Sequence, residues 1–406
     1  MPCSSISSGG ITRTTPYKSP LILGIETSCD ETAAAIIDGA GWLRANVVAS
    51  QVDYHARFGG VVPEIASRKH TEAIVGVVDA AMEQAGLHDW QQLSALAVTY
   101  APGLIGALVV GVAFAKGLAW ATDLPLIRVN HLEGHIYANR LRPQTDASNA
   151  AVPTADSSAA NPSTASSTSE PYDTGFSTDS KLAKPVETLV LGDTPAPPFV
   201  IALLSGGHTM LVEVLEWGSY RVLGQTLDDA VGEAFDKVAK ALGLGYPGGP
   251  VISRLAAEGD PQAIDFPRAL LHSHDFNFSL SGLKTAVITW IRQQQQSGVE
   301  LNMANVAAAF QQAVIDVQVA KALAACRQSA VSSFCLGGGV AANQALREAY
   351  VDKLSRAGID VFFPPLAVCS DNAAMIVAVA TDRLARGQFM SLSDDAAAQS
   401  DLSQDY

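Results

Sequence analysis

Short apolar runs, each bounded by polar turns, alternate along this chain with longer segments in which apolar residues recur every three or four positions. The runs at residues 21–25, 93–99, 124–130, 199–204, 210–215 and 332–336 have the length of buried strands, and 33–38, 47–52 and 361–365 read as three more. Helical spacing is clearest where Ile74, Val77, Val78, Ala81, Met82 and Ala85 share one face and Gly86 ends it. It recurs at 107–121, at 303–329 and from residue 370 to about 387. Strands alternating with helices predict an α/β fold. Two strand–polar turn–strand units resemble one another. The first has Glu26-Thr-Ser-Cys-Asp-Glu-Thr32 at its tip, and the second has Ser205-Gly-Gly-His-Thr209. Each opens an α/β half, so the pattern predicts an internally duplicated fold with a ligand clamped between the halves.

The pattern fails in three places. Residues 1–20 are rich in Ser, Thr and Gly without an apolar stretch, which predicts a disordered extension rather than a secretory signal; their shortage of acids also suits a transit peptide. From 142 to 198 the chain is mostly Ser, Thr, Ala, Pro and Asp, a low-complexity insertion with little to bury. Residues 391–406 read as an acidic, frayed tail. The expected domains are therefore an N-terminal lobe at 21–141, a C-terminal lobe at 199–370, and a final helix at 371–390 that packs back on the N-terminal lobe.

At 406 residues two domains are expected. The formal net charge is −14, which excludes a generally basic nucleic-acid binder and leaves only a local basic patch or a partner to contact a polyanion. Arg68, Lys69 and His70 read as a solvated helix start that is the nearest thing to such a patch. The five cysteines form no CxxC, which fits a reducing cytoplasm. The run at 104–120 is interrupted by three glycines and Lys116, so no membrane span is expected.

The chemistry concentrates at His131-Leu-Glu-Gly-His135. Two histidines at i and i+4 share a helical face at the spacing that lets two imidazoles hold one metal ion. Imidazole suits Fe, Zn, Ni or Cu better than Mg or Ca. Two ligands do not close a site, so a third must come from elsewhere. Asp371 is one candidate; its other reading is a first-turn carboxylate complementing a helix dipole behind a Ser370 N-cap. The first hairpin tip bunches Glu26, Asp30 and Glu31, more carboxylates than a plain turn needs. Gly337-Gly-Gly-Val-Ala-Ala-Asn343, opening a helix to about residue 357, lets backbone approach a ligand closely.

Taken together, Glu26-Thr-Ser-Cys-Asp-Glu-Thr32, His131-x3-His135, Ser205-Gly-Gly-His-Thr209, Gly232-Glu-Ala-Phe-Asp236-Lys, Tyr246-Pro-Gly-Gly-Pro250, Phe278-Ser-x-Ser-Gly-Leu-Lys284, the glycine run to Asn343, and Ser370-Asp-Asn-Ala-Ala374 resemble the TsaD (Gcp/YgjD) family of tRNA N6-adenosine threonylcarbamoyltransferases. The resemblance spans about residues 21–390 outside the insertion. It implies an actin/Hsp70/sugar-kinase-like (ASKHA) fold, two duplicated ribonuclease-H-like lobes with a nucleotide in the cleft. It implies that His131, His135 and Asp371 bind one Fe(2+), or Zn(2+), per subunit. Substrate contacts carry over to Leu203, Leu204, Ser205, Gly206, Gly207, Asp236, Gly249 and Asn343. The implied reaction moves a threonylcarbamoyl group from threonylcarbamoyl-AMP to N6 of adenosine 37 in tRNAs reading codons that begin with A, forming t6A. Asp30 and Glu31 are the expected bases, with His208 as the alternative. A TsaB-like paralogue and a TsaE-like ATPase are the expected protein partners, and the isolated acidic chain is expected to bind tRNA weakly.

Three rivals remain at this level. In a zincin HExxH the glutamate follows the first histidine, whereas Glu133 lies two residues on, about 200° round the helix, and faces away from the metal. A nucleotide-binding scaffold would have no use for the histidine pair, and a kinase of the same fold would accept phosphate from ATP.

Overall fold

The structure is a computed structural model that describes residues 18–143 and 189–402. β1 (Ile22–Glu26), β2 (Glu31–Ile37) and β3 (Leu43–Ser50) form an antiparallel meander. The short α1 (Val52–Ala56) and α2 (Pro63–Gln84) lead to β4 (Ala95–Ala101), and α3 (Ile105–Thr122) leads to β5 (Leu126–Asn130). α4 (His131–Tyr137) follows β5 without a loop. β6 (Leu141–Pro143) then pairs with β7 (Leu189–Leu191). A second meander comprises β8 (Phe199–Leu204), β9 (Thr209–Glu216) and β10 (Ser219–Gln225). α5 (Val231–Ala241), α6 (Gly248–Ala256), α7 (Ser281–Gln296) and α8 (Met303–Ser329) precede β11 (Ser333–Gly337). α9 (Gln344–Ser355), β12 (Asp360–Phe362) and α10 (Ala374–Ala385) complete the chain's regular elements.

The sheets are ordered β3-β2-β1-β4-β5 and β10-β9-β8-β11-β12. In each, the first strand of the meander pairs antiparallel on one side and parallel on the other, followed by a second parallel strand. The two halves thus share one topology, the duplication that the paired hairpins predict.

α4 and α10 form the layer between the sheets. α10 lays Met375, Val377 and Ala378 among Ile22, Ala35, Ala97 and Val129 of the first sheet. α4 sets Leu132 and Ile136 among Phe199, Ile201, Leu203 and Cys335 of the second. The helices meet at Gly134, where a Cβ would stand 3.1 Å from Ile376 Cδ1 and from Met375 Cγ. α2 and α3 cover the outer face of the first sheet, and α5 to α9 that of the second. Gly24 on β1 is tighter still, since its Cβ would lie 2.6 Å from Val377 Cγ1. A Gly24→Val variant is expected to lose about 1–3 kcal/mol through overpacking, read as a lower urea midpoint with unchanged slope; an unchanged midpoint would mean that α10 is not seated on β1.

Several boundaries differ from the sequence reading. The strand expected at 47–52 runs from 43 to 50 with alternating burial, and 51–52 turn into α1. The glycine run does not open a helix directly. Gly338 has φ +87°, which breaks helical geometry, and a 3-10 turn at Gly339–Ala342 intervenes before α9. Ser370 is not an N-cap: α10 begins at Ala374, and Asn372 Oδ1 accepts from Met375 N–H at 3.1 Å instead. The insertion is shorter than composition suggests. Leu189 is buried, Val190 bridges Trp42, and Arg140 Nε donates to Gly192 O at 3.0 Å; three apolar residues among many polar ones suffice for an edge pair. The tail is not frayed through residue 402. Ala397 N–H donates to Tyr100 O at 2.9 Å and Leu402 is buried among the α4-facing residues. The extension through residue 17, the segment 144–188 and the last four residues lie outside the described residues.

α3 is the one described helix that bears on the expectation about membrane spans. It is 18 residues long with mean hydropathy 1.7, enough by length and composition to cross a membrane. Here Ala107, Leu108, Gly111, Val112, Ala115 and Ala119 are its buried face, as in a core helix.

Candidate active site

Because α4 starts where β5 ends, its first turn lies at the carboxyl end of the first sheet, between the halves. Asn130 caps it, accepting from Leu132 N–H at 2.9 Å. His131 and His135 are both buried, with ring centres 4.7 Å apart. The loop before α10 brings in Asp371, whose Oδ1 lies 3.1 Å from His135 Nε2 and 3.6 Å from His131 Nε2. All three donor atoms fall within 4.8 Å of one another. Ligands about 2.1 Å from one ion are roughly 3–3.5 Å apart, so these separations suit a shared metal. Among the described residues neither buried ring nitrogen of His135 is well satisfied: Nδ1 has no hydrogen-bond partner, and Nε2 has only Asp371 Oδ1 within reach, outside hydrogen-bond geometry. A buried imidazole left so is costly unless a ligand takes it. Two imidazoles and a carboxylate are also the donor set of borderline transition metals. The residues present therefore fit a metal ion.

Glu26, at the end of β1, is fully buried behind His131. Its Oε2 lies 3.2 Å from His131 Nδ1 and accepts from Thr99 Oγ1 at 2.6 Å, while Ser28 N–H donates to Oε1. Ser28 Oγ stands 3.0 Å from the same Nδ1. Burial alone would raise the Glu26 carboxyl, but the His131 ring outweighs it and the net shift is downward. Burial likewise opposes a charge on His131, yet Asp371 and Glu26 prevail and raise it to about 9. Asp371 is held well below the carboxylate range, with burial overcome by His131 and His135. A carboxylate behind a ligating imidazole fixes its tautomer and strengthens it as a donor. Glu26→Gln is therefore expected to weaken metal binding about 10–100-fold in a chelator competition; wild-type affinity would mean the carboxylate only fills space. The sequence reading placed Glu26 at the hairpin tip without this role. Only its unusual position, an acid inside an apolar strand, hinted at it.

Glu133 faces away from the histidines, as its helical phase requires. Its Oε2 is 2.5 Å from Arg383 Nη2 and its Oε1 accepts from Tyr220 OH at 2.8 Å. This acid ties α4 to α10 and to β10.

Several of the other expected residues lie close enough to this centre, or to one another, to feel each other's charge. The Glu31 carboxyl is raised well above its ordinary range by burial, then by the neighbouring charges of Asp30 and Asp371. Ser50 Oγ donates to Glu31 Oε1 at 3.1 Å. Burial pushes the Tyr246 phenol up, and so do the Asp30 and Asp236 carboxylates. That mutual influence places the first hairpin tip near the Tyr246-Pro-Gly-Gly-Pro250 turn. Asp236 Oδ1 accepts from Gly248 N–H at 2.6 Å, and burial raises this carboxyl too. Gly206, Gly207, Gly249 and Gly339 each face open space, where a Cβ would meet nothing within 4 Å. Leu203 and Leu204 are buried in β8. Asn343 caps α9 through Leu346 N–H at 3.0 Å and donates to Gln311 Oε1 at 2.8 Å, so its side chain braces the glycine loop. His208 is lowered to about 4 by burial and by the two histidines, and is neutral at pH 7. His70 is not solvated: it is buried, 2.8 Å from Thr32 Oγ1 and 2.9 Å from Cys29 O.

Duplicated α/β lobes of one topology place the chain in the ASKHA class of folds. The TsaD family model, described as tRNA N6-adenosine threonylcarbamoyltransferase, matches residues 43–160 and 182–378. The chain belongs to this family. A Clostridium perfringens (strain SM101 / Type A) protein of the same description is 43% identical over 373 residues, 92% of this chain and 95% of its own. One from Clostridium botulinum (strain 657 / Type Ba4) is 43% identical over 375 residues, covering 92% and 96%. Among solved structures, full-length HypF in a phosphate- and nucleotide-bound form superposes with TM-score 0.56 at 11% identity, over 93% of this chain and 48% of that one. HypF from T. kodakarensis gives 0.54 at 12%, over 93% and 49%. At such identity these two speak for the fold alone.

Proposed function

We propose that this chain transfers a threonylcarbamoyl group from threonylcarbamoyl-AMP to N6 of adenosine 37 in tRNAs that read codons beginning with A. The observation that carries this reading is the family match through both lobes, whose folding gathers His131, His135 and Asp371 beside the cleft. In the reaction the N6 lone pair forms a bond to the carbamoyl carbon, the bond from that carbon to the phosphate oxygen breaks, and AMP leaves with the electron pair. The N6 proton passes to a base. Glu31 suits this role, because burial and the neighbouring Asp30 and Asp371 raise its carboxyl well above the ordinary range, which makes its carboxylate a stronger base. Asp30 beside it, or the neutral His208, is the alternative acceptor.

The donor is already activated, so positioning and charge stabilisation dominate. Backbone N–H groups of Gly206 and Gly207, and of the loop braced by Asn343, suit the adenylate phosphate; the Ser205 N–H donates to His208 O at 2.8 Å and holds the turn, while Leu203 and Leu204 set the strand beneath. Asp236 and Gly249 suit the ribose, since Asp236 Oδ2 has no hydrogen bond among the described residues. His131, His135 and Asp371 would hold one Fe(2+), or Zn(2+). When bound, such an ion supplies Lewis-acid polarisation of a threonylcarbamoyl oxygen. Free Cys29, Cys326, Cys335 and Cys369 support a reducing cytoplasmic setting. The net charge of −14 supports help with the polyanion from a TsaB-like paralogue and a TsaE-like ATPase.

The test is mass spectrometry of tRNA nucleosides from cells depleted of this protein. Threonylcarbamoyladenosine is expected to vanish, return with the wild-type gene and stay absent with His131→Ala. Normal levels in depleted cells lacking a second copy would refute the assignment.

A further inference from the structure

The mouth of the cleft carries exposed groups that neither the metal centre nor the adylate-binding loops use. α1 grows directly from the first hairpin: Gln51 N–H donates to Asp30 O at 3.0 Å. His55 pins it from inside, with its ring 3.2 Å from Gln51 Oε1 and 3.3 Å from Val62 N. On the outside, Tyr54 is 44% and Phe58 57% exposed. Lys69 Nζ lies 4.3 Å over the Tyr54 ring. Arg57 is exposed between the two aromatics in sequence. Gly59 then reaches the other half of the molecule, where a Cβ on it would stand 3.4 Å from Lys240 Nζ. Lys240 is exposed on α5, one turn beyond Asp236. Neither Arg57 nor Lys240 has an ion-pair partner among the described residues, and Asp53 is the single acid at 52–60. In a chain of net charge −14, two exposed rings flanked by cations from both halves stand out beside Glu31.

We propose that Tyr54, Arg57, Phe58 and Lys240 seat the anticodon loop of the substrate tRNA, with loop bases stacking on the rings and flanking phosphates meeting the two cations. The inference rests on the reading of the substrate as tRNA. A base whose N6 is to react must leave its stack, and aromatic side chains replace the stacking its neighbours lose. Rings interleaved with cations are the surface that single-stranded nucleic acid recognises without base-specific hydrogen bonds. A protein interface would share the aromatic rings and the arginine but is depleted in lysine, and Lys69 and Lys240 both stand at this patch.

The experiment measures kcat and KM for an unmodified transcript of a tRNA reading such a codon, in the complete reconstituted transfer reaction, with AMP affinity measured in parallel. The double variant Tyr54→Ala/Phe58→Ala is expected to raise KM for tRNA roughly ten- to hundredfold, with kcat at saturating tRNA and AMP affinity retained. Arg57→Ala/Lys240→Ala is expected to flatten the plot of log affinity against log salt by about one to two units. Wild-type KM and salt slope in both variants would overturn the inference while leaving the functional reading intact. So would a loss corrected by excess partner protein, which would make this a protein-docking surface. If the wild-type protein modifies no tRNA, the functional reading fails and the inference falls with it.

Discussion

An Asp371→Ala variant is expected to lose stoichiometric metal and, with it, transfer to tRNA. Removing an outer partner of a ligating histidine already costs about 10–100-fold in metal affinity, and Asp371 supplies the anionic donor itself. Its Oδ1 is the atom that both Nε2 nitrogens approach, at 3.1 and 3.6 Å. Without it only the two imidazoles remain, one of them hydrogen-bonded from behind by Glu26. The expected loss is at least about a hundredfold in affinity, measured by chelator competition and by metal content after gel filtration. His208→Ala is the discriminating companion. His208 feels the charges of His131, His135 and Asp371 but belongs to no ligand set, so that variant is expected to keep its metal. Wild-type metal content in Asp371→Ala would remove Asp371 from the site.

Arg383→Met is expected to destabilise the fold by about 3–5 kcal/mol, the cost of stranding a buried partner charge. Glu133 and Arg383 side chains are 2% and 6% exposed. Arg383 also donates to Arg128 O through Nη1 at 2.5 Å, so the guanidinium joins β5, α4 and α10 at one point. With methionine there, Glu133 keeps the Tyr220 hydroxyl of the second half as a donor. Adding Glu133→Gln is expected to recover part of the loss, because an amide is cheaper to bury than a carboxylate. Urea unfolding of metal-free protein separates this effect from metal linkage. A loss below about 1 kcal/mol would place the pair among solvent-screened surface bridges.

Much of the site was legible because its signals are local. The i, i+4 histidines share a face by helix geometry alone, and Glu133 turns away from them for the same reason. The duplicated hairpins announced two lobes of one topology. What failed was also local in origin. Ser370 resembles an N-cap, but the chain stays non-helical until Ala374. Composition hid β7 and the packed tail because Leu189, Val190 and Leu402 are few among polar neighbours, and burial depends on what faces them.

The amino-acid order by itself determined where strands and helices lie, that the halves repeat, and that two imidazoles sit one turn apart, since periodicity and spacing act within a few residues. Tertiary structure alone decided the partners. It set Glu26 behind His131 across 105 residues and Arg383 against Glu133 across 250. It also brought Asp371 Oδ1 to 3.1 and 3.6 Å from the two imidazole Nε2 atoms, and Gly59 of one half against Lys240 of the other. Those contacts arise from stacking α4 and α10 between two sheets, and no short-range rule encodes which distant side chains such stacking brings together.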